Sequence, residues 1–308
     1  MTAAGIAVTA LTAAIPFMEF LRHKRTPLAR YGWFGLLALL IAELLMFRGV
    51  QPLATYFTPI AWSAYLMTVD AGVLSVTGHS RLRDDPRGFV VTAVLSVPLW
   101  LIFEAYNLRL KNWTYVGLPM SLGWAALGYV WSFATITPAI FETADLVEAF
   151  GWFKPARPLR FSPAAEGAMV AFGAACLLAP LVLPQHVARY LFVLVWLGFV
   201  FLLDPINRRL GLPSFLGDLA AGRRSRFYSL FISGWVCGWL WEFWNYWAAA
   251  KWHYIFPVFQ HWKIFEMPVP GYLGFLPFAL ECFVMYVAAA RALGLIKAPK
   301  QELTLLRG

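Results

Sequence analysis

Apolar residues run along this chain in long, nearly unbroken stretches that are separated by short polar or basic segments. Nine of the stretches approach the roughly 17 to 25 residues that a helix needs to cross about 30 Å of hydrocarbon. They cover residues 2–21, 32–47, 53–76, 89–106, 120–142, 166–184, 189–204, 227–247 and 271–293. The pattern predicts an all-α polytopic membrane bundle of about nine transmembrane helices.

The composition excludes two other classes of protein. Of the 308 residues, 60% are hydrophobic and 13% are charged, and the mean hydropathy is +0.64. Soluble domains contain only about 45–50% apolar residues, which argues against a water-soluble globule. The 15 Trp, 12 Tyr and 26 Phe supply far more apolar surface than a disordered chain keeps in water.

The net charge of +9 is explained by membrane topology. Of the 25 Lys and Arg residues, 19 follow the odd-numbered stretches and 6 lie elsewhere. Basic residues concentrate in cytoplasmic loops, so the pattern predicts an outside N-terminus and a cytoplasmic C-terminus in a bacterial-type inner membrane. No nucleic-acid partner is needed. The basic residues of the first stretch follow it, which is typical of an uncleaved anchor.

Two parts of the chain repeat each other at offsets of 138 or 139 residues. The matched pairs are Glu104 with Glu242, Asn107 with Asn245, Trp113 with Trp252, Tyr115 with Tyr254, and Glu142 with Glu281. Because each unit holds four apolar stretches, an even number, the two units share one orientation. This predicts two parallel repeats related by an axis along the membrane normal.

The repeat divides the chain into five parts. They are an extra N-terminal helix at 1–31, a first repeat at 32–148, a linker at 149–165, a second repeat at 166–293, and a cytoplasmic tail at 294–308. Asp70 and Asp204 end corresponding stretches, and an Arg-rich segment follows each of them.

Acidic residues recur inside the apolar stretches, where each costs at least about 2.5 to 3.5 kcal/mol to insert. Glu104 and Glu242 each precede an Asn by three residues, which places both side chains on one helix face. Such a pair either fixes the following loop or lines a pocket. Glu281 lies four residues after a proline, and Glu142 is its counterpart; each is either a neutral side chain bonded between helices or a general acid.

Aromatic residues are dense around these acids. Most Trp and Tyr residues of a membrane protein anchor helix ends at the interface, but the rest can form the wall of a pocket. Aromatic faces attract cations and also suit flat quinones. The candidate catalytic residues are Glu104, Glu142, Glu242 and Glu281, and the candidate binding residues are Asn107, Asn245, Trp113, Tyr115, Trp252 and Tyr254.

The sequence carries no motif for a metal or a cofactor. The 3 Cys form no Cys-x-x-Cys pair, and the 5 His show no ligand spacing. An Asp-Asp-x-x-Asp motif, a P-loop and a dinucleotide fingerprint are also missing from the sequence. We therefore expect no cofactor and no metal. The Arg-rich segments are interpreted as cytoplasmic and headgroup-contacting, with pyrophosphate binding as the alternative.

The stretch from Trp241 through Glu242, Asn245-Tyr and Trp252-His-Tyr254 to Gly271-Tyr272 and Pro277-Phe-Ala-Leu-Glu281 resembles the repeated domain of integral-membrane lycopene beta-cyclases. The first half is similar from Asn107 to Glu142. That family has an adjacent Glu pair where this chain has one Glu, and its repeats have about three helices each. The resemblance implies a carotenoid or related isoprenoid substrate and protonation-initiated cyclisation or hydration without metal redox chemistry.

Three functions remain open on these grounds. The first is a membrane isoprenoid cyclase or hydratase, in which an intramembrane Glu donates a proton and aromatic rings stabilise the cation. The second is a lipid or isoprenoid-carrier transporter. The third is a non-catalytic subunit or assembly factor of a larger membrane complex. In each case the expected partner is an apolar lipid or isoprenoid, and Glu242, Asn245, Glu281, Trp252 and Tyr254 are expected around one outward-opening pocket.

Overall fold

The computed structural model describes residues 1–296, so most of the predicted tail at 294–308 lies outside the described residues. The helices are α1 (Thr2–His23), α2 (Arg30–Phe47), α3 (Phe57–Thr77), α4 (Arg81–Asp84), α5 (Pro86–Leu110), α6 (Leu122–Ala149), α7 (Pro163–Val182), α8 (Gln185–Ala188), α9 (Phe192–Arg209), α10 (Phe215–Ala220), α11 (Ser225–Trp247) and α12 (Phe275–Ala292), and a 3-10 helix spans Val269–Gly274. The strands are β1 (Trp113–Val116), β2 (Lys251–Tyr254), β3 (Lys263–Ile264) and β4 (Met267–Pro268).

The chain folds as a helical bundle in which each of the predicted apolar stretches coincides with a long helix. Within residues 1–296, seven helices are long and apolar enough to cross a membrane: α1, α2, α3, α5, α6, α7, and α12 with its preceding 3-10 turn. The helices α9 and α11 are 18 and 23 residues long. The first carries Asp204, Arg208 and Arg209, and the second carries Arg226, Glu242 and several Trp residues, so both are less apolar.

Successive long helices alternate in direction, so the connecting segments gather at two ends of the bundle. One end, here called the basic end, holds residues 24–29, 78–85, 150–162 and 210–224. There the Ala156 N–H donates to the Gly222 carbonyl at 2.9 Å. The other end, here called the aromatic end, holds 48–56, 111–121, 183–191 and 248–274. There the Ala249 N–H donates to the Ala54 carbonyl at 3.2 Å. Which end faces the cytoplasm stays a prediction.

The two halves make corresponding helix contacts. In the first half α3 packs against α2 and α6, and α5 packs against α6; in the second half α9 packs against α7 and α12, and α11 packs against α12. Across the halves, α6 contacts α11 and α5 contacts α12, while α1 packs outside against α11. A Cβ on Gly35 would lie 2.6 Å from the Ala64 carbonyl oxygen, and one on Gly173 would lie 2.4 Å from the Leu202 nitrogen. Only small residues allow such close helix packing.

Corresponding caps also follow α3 and α9. Both carboxylate oxygens of Asp70 are used, since one accepts the Leu82 N–H at 2.9 Å and the other accepts the Ser80 hydroxyl at 2.9 Å. Asp204 accepts the N–H groups of Phe215 and Leu216 at 2.6 and 2.9 Å. In both halves, therefore, the buried Asp at the helix end fixes the short basic-end helix that follows it.

Candidate functional site

A two-stranded antiparallel ribbon joins the halves at the aromatic end. Trp113 of β1 lies opposite Tyr254 of β2, and Tyr115 lies opposite Trp252. Because side chains alternate along a strand, these four lie on one face of the ribbon. Thr114 and His253 lie on the other face. The ribbon therefore brings together the aromatic binding residues that the sequence predicts in both halves.

In the first half, the carboxyl of Glu104 is bonded by three aromatic side chains. Its Oε1 accepts the Tyr115 hydroxyl at 2.5 Å, the Trp100 Nε1–H at 2.9 Å and the Trp113 Nε1–H at 3.2 Å. Glu104 is partly buried at the end of α5. The cluster ties this helix end to β1.

In the second half, Glu242 has corresponding partners. Its Oε1 accepts the Tyr254 hydroxyl at 2.8 Å and the Trp252 Nε1–H at 3.4 Å. Glu242 is fully buried, and within residues 1–296 its Oε2 has no hydrogen-bond partner. Buried hydrogen-bond acceptors seldom lack a partner. The unpartnered Oε2 of Glu242 therefore distinguishes the second cluster from the first.

The two tyrosines of the ribbon lie outside the membrane-spanning helices. Burial raises the pKa of Tyr115 and of Tyr254 well above the usual value for a phenol, and the facing carboxyl raises it further. Both hydroxyls therefore stay protonated and act as donors to Glu104 and Glu242.

The asparagines three residues after these acids hold the backbone of the ribbon. Asn107 Nδ2 donates to the Trp113 carbonyl at 2.9 Å, and its Oδ1 accepts the Trp113 N–H at 3.2 Å. Asn245 makes the same two bonds to the Trp252 backbone, at 3.0 and 2.9 Å. For the asparagines, the geometry favours the interpretation that they fix the following loop.

The other two predicted acids lie apart from the ribbon. Glu142 in α6 and Glu281 in α12 are fully buried, and no described residue forms a hydrogen bond with either carboxyl. Near Glu142, at the basic end of α6, Arg81 makes a bidentate ion pair with Asp145 at 2.6 and 3.0 Å. The structure therefore places two of the predicted acids, Glu104 and Glu242, at the ribbon and the other two, Glu142 and Glu281, elsewhere in the bundle. Among the described residues, Glu281 shares no hydrogen-bond partner with Glu242.

A cavity of about 590 Å³ lies between the halves at the aromatic end. Its wall is rich in aromatic side chains, which include Tyr56, Trp62, Trp100, Trp113, Tyr115, Tyr129, Phe133, Phe192, Trp196, Trp241, Trp252, Tyr254, Phe256, Phe275 and Phe278. Volumes of roughly 300 to 1,000 Å³ are usual for small-molecule sites. The cavity is therefore large enough for a lipid tail.

The position of the cavity differs from the sequence-based expectation. The sequence predicts a pocket within the second half and a counterpart within the first, whereas this cavity is shared by both halves. Of the predicted residues, it is lined by Trp113, Tyr115, Trp252 and Tyr254 but not by Asn107, Asn245, Glu104, Glu142, Glu242 or Glu281. Glu104 and Glu242 contact its wall only through their aromatic donors.

Several wall residues were not predicted. Trp62 is almost fully buried and packs against Trp241 and Trp244 with ring centroids 5.0 and 4.9 Å apart. Trp196 of α9 lies over Gly274, where an added Cβ would come within 1.7 Å of its ring. A glycine at this position leaves room for the Trp196 ring, but a single sequence does not show which Trp packs against which glycine.

No protein-family model, curated protein or solved structure matches this chain. The similarity to lycopene beta-cyclases therefore stays a prediction from the residues quoted above, as does the expectation that the site needs no metal or cofactor.

Proposed function

We propose that this protein binds an apolar isoprenoid-type lipid in the cavity between its halves and acts on it as a cofactor-independent cyclase or hydratase. The observation that carries the proposal is the aromatic cavity whose wall contains two tyrosine hydroxyls, each bonded to a Glu carboxyl behind it. Its lining suits a hydrocarbon tail, since apolar and aromatic side chains dominate ligand sites of this kind.

The proposed chemistry adds a proton to one C=C bond and removes a proton elsewhere. Tyr254 O–H donates to Glu242 Oε1 in the resting site, so for the transfer it would turn toward the substrate while the protonated Glu242 carboxyl donates to the phenol oxygen. The phenol proton then moves to the substrate carbon, where the π electrons of the alkene form the new C–H bond, and the Glu242 proton moves to the phenol. The resulting cation is stabilised by the aromatic faces of the wall. Ring closure transfers the cation along the chain, and loss of a proton to the Glu242 carboxylate through Tyr254 restores the enzyme. The cyclised product is an isomer of the substrate, so no oxidant is required.

We also propose that the chain crosses the membrane nine times as two parallel four-helix repeats with α1 as an extra helix. The matched helix contacts, the caps at Asp70 and Asp204, and the matched Glu and Asn clusters support this. Four crossings per repeat would leave both repeats in one orientation, with the cavity on the axis between them.

A lipid or isoprenoid-carrier transporter is the second candidate. Glu142 and Glu281 favour it, because they are buried carboxyls without a hydrogen-bond partner in the described part of the chain, at corresponding places in α6 and α12. Intramembrane acids of this kind mark proton and ion pathways in transporters. In a transporter both acids should be needed, whereas in the enzyme the acid at the cavity should dominate.

Mass spectrometry of the lipids that co-purify in mild detergent tests the proposal. We expect an apolar lipid with an isoprenoid chain in the native protein. Ala125 of α6 lines the cavity and its neighbour Ala126 is exposed outside it. Ala125→Phe should fill the cavity and reduce the bound lipid, while Ala126→Phe is the matched control. Equal lipid content in the two variants, or no enriched lipid, would contradict the proposal.

A further inference from the structure

The cavity wall contains two charged residues in the described chain, and both are cations: Arg189 and Lys251. Lys251 is already occupied. Its Nζ donates to the Tyr246 carbonyl at 2.8 Å and lies 3.6 Å from Glu266 Oε1. The pairing cancels most of the charge of Lys251 within the ribbon region.

Arg189 has no such partner. It lies in the turn between α8 and α9, its residue is exposed, and within residues 1–296 its guanidinium makes neither an ion pair nor a hydrogen bond. Its backbone is nevertheless held in place, since the carbonyl accepts the Nδ2–H of the buried Asn112 at 3.0 Å. This bond fixes the turn beside the first residue of β1.

The two cations lie at opposite ends of the ribbon. Asn112, which holds Arg189, precedes Trp113, while Lys251 is paired with Val116 at the other end of β1. Four strand residues span about 10 Å, and the Lys251 ammonium is held at its own end by the Tyr246 carbonyl and Glu266. Among residues 1–296, a guanidinium without an ion-pair partner thus lies at one side of a mostly apolar cavity.

We propose that the ligand of this cavity is an amphiphile with an oxyanion head group, which Arg189 binds while the aromatic wall holds the tail. This inference rests on the proposed lipid binding and specifies its ligand class. A guanidinium presents donors in a planar fork that matches phosphate and carboxylate oxygens. Head groups of lipids lie at the level of the interfacial aromatic residues, where Arg189 and the exposed Tyr190 are found.

The charge distribution favours an anion over a neutral lipid. No Asp or Glu of residues 1–296 lines the cavity, so a head group with negative charge contacts no carboxylate in the wall itself. Several arginines of the basic end are neutralised instead, since Arg81, Arg208 and Arg226 pair with Asp145, Glu166 and Asp218. An isoprenyl phosphate and a fatty carboxylate share the required chemistry.

Binding of matched lipids to the full chain in nanodiscs of zwitterionic lipid tests this inference. The probes are geranylgeraniol, geranylgeranyl phosphate and oleate, and the readout is the change in intrinsic Trp fluorescence on binding. We expect the phosphate to bind at least about tenfold more tightly than the alcohol at low salt, with the difference reduced by added salt. Arg189→Gln should remove the difference by weakening the binding of the phosphate.

The matched control is Arg48→Gln, because Arg48 is exposed at the same end of the bundle and lies outside the cavity wall. It should retain the preference for the phosphate. If the native protein binds oleate more tightly than the phosphate and this binding depends on Arg189, the oxyanion head group is supported and the ligand is a fatty acid. Equal binding of alcohol and phosphate, or equal losses in both variants, overturns the inference while lipid binding stands. Failure of every probe to bind overturns both proposals.

Discussion

The cluster around Glu104 and the cluster around Glu242 use corresponding donors on one ribbon, but the two carboxyls accept different numbers of hydrogen bonds. Glu104 is partly exposed and receives three aromatic donors. Glu242 is fully buried and receives two, and its second oxygen is unbonded among residues 1–296. The difference comes from the third donor.

That donor is Trp100 in the first half, and its counterpart Trp239 behaves differently. Trp239 stacks on Tyr272 with ring centroids 4.0 Å apart, and its buried Nε1 has no partner in the described chain. The first cluster therefore has the features of a structural joint. The second has a carboxyl oxygen without a partner among residues 1–296, and the donors of its other oxygen, Trp252 and Tyr254, line the cavity. For this reason the proposed proton donor is Glu242.

Replacing each acid by its amide gives the largest expected contrast. Glu242→Gln keeps the Oε1 acceptor but removes the proton, so turnover of the co-purified lipid should fall by about 10²- to 10⁴-fold. Glu104→Gln should leave turnover unchanged. Product formation is measured by chromatography, and the melting temperature of each variant serves as the folding control. Equal activity of the two variants would refute the assignment to Glu242.

A disulfide across the ribbon tests whether the two clusters share one structural element. Thr114 and His253 are directly opposite, and opposed residues have Cα atoms about 4.5 to 5.5 Å apart, within the range for a disulfide. Oxidised Thr114→Cys/His253→Cys should gain roughly 2 to 4 kcal/mol of unfolding free energy. The native cysteines are buried. After cleavage of a protease site inserted at 150–162, the halves should stay joined on a non-reducing gel; separation of the halves would show that the ribbon does not form.

The same cysteine tests the orientation that the basic residues predict. A membrane-impermeant thiol reagent should label Thr114→Cys in intact cells, since this exposed residue is at the aromatic end. Arg157→Cys in the basic-end linker is the matched control and should react only after the membrane is opened. The reverse labelling pattern would place the N-terminus inside.

Truncating the two asparagines should give a smaller contrast. Asn245 is fully buried, so Asn245→Ala leaves the Trp252 N–H and carbonyl without partners and should lower the unfolding free energy by about 2 to 4 kcal/mol. Asn107 is partly exposed, and water can replace its bonds. Asn107→Ala should therefore cost roughly half as much. Chemical denaturation in mixed micelles measures both values, and a larger loss for Asn107→Ala would contradict the proposed difference between the clusters.

The helices and the paired polar positions were predictable because their signals are local. Long apolar stretches define the helices, and Glu104-to-Asn107 spacing places two side chains on one face. The ribbon was not predictable as strands. Each strand has four residues, which is too short for a clear alternation, and its partner lies more than a hundred residues away.

The sequence predicts a pocket lined by Trp252 and Tyr254, but its position between the halves was not predictable, for a geometric reason. Pro277 lines it and Glu281 does not, although only four residues separate them. Four residues of a helix span about 6 Å along its axis, which places Glu281 farther from the aromatic end than the cavity, in the buried core around α12. The sequence indicates that the two residues share a face, but the depth of the cavity depends on how the two halves pack.

Replacing Trp100 and Trp239 should give the smallest effect on the unfolding free energy, and it tests the donor that distinguishes the two clusters. Trp100→Phe removes the Nε1–H that donates to Glu104, so it should lower the unfolding free energy by about 1 kcal/mol beyond the change in packing. Trp239→Phe removes an N–H that has no partner among residues 1–296 and preserves stacking on Tyr272. Its hydrogen-bond contribution should be near zero.

Because both substitutions replace indole by phenyl, the packing changes largely cancel in the difference. Combining each with the amide variant of its own acid measures the coupling: Trp100 and Glu104 should couple and Trp239 and Glu242 should not, and equal coupling in both halves would show that the two carboxyls are held alike.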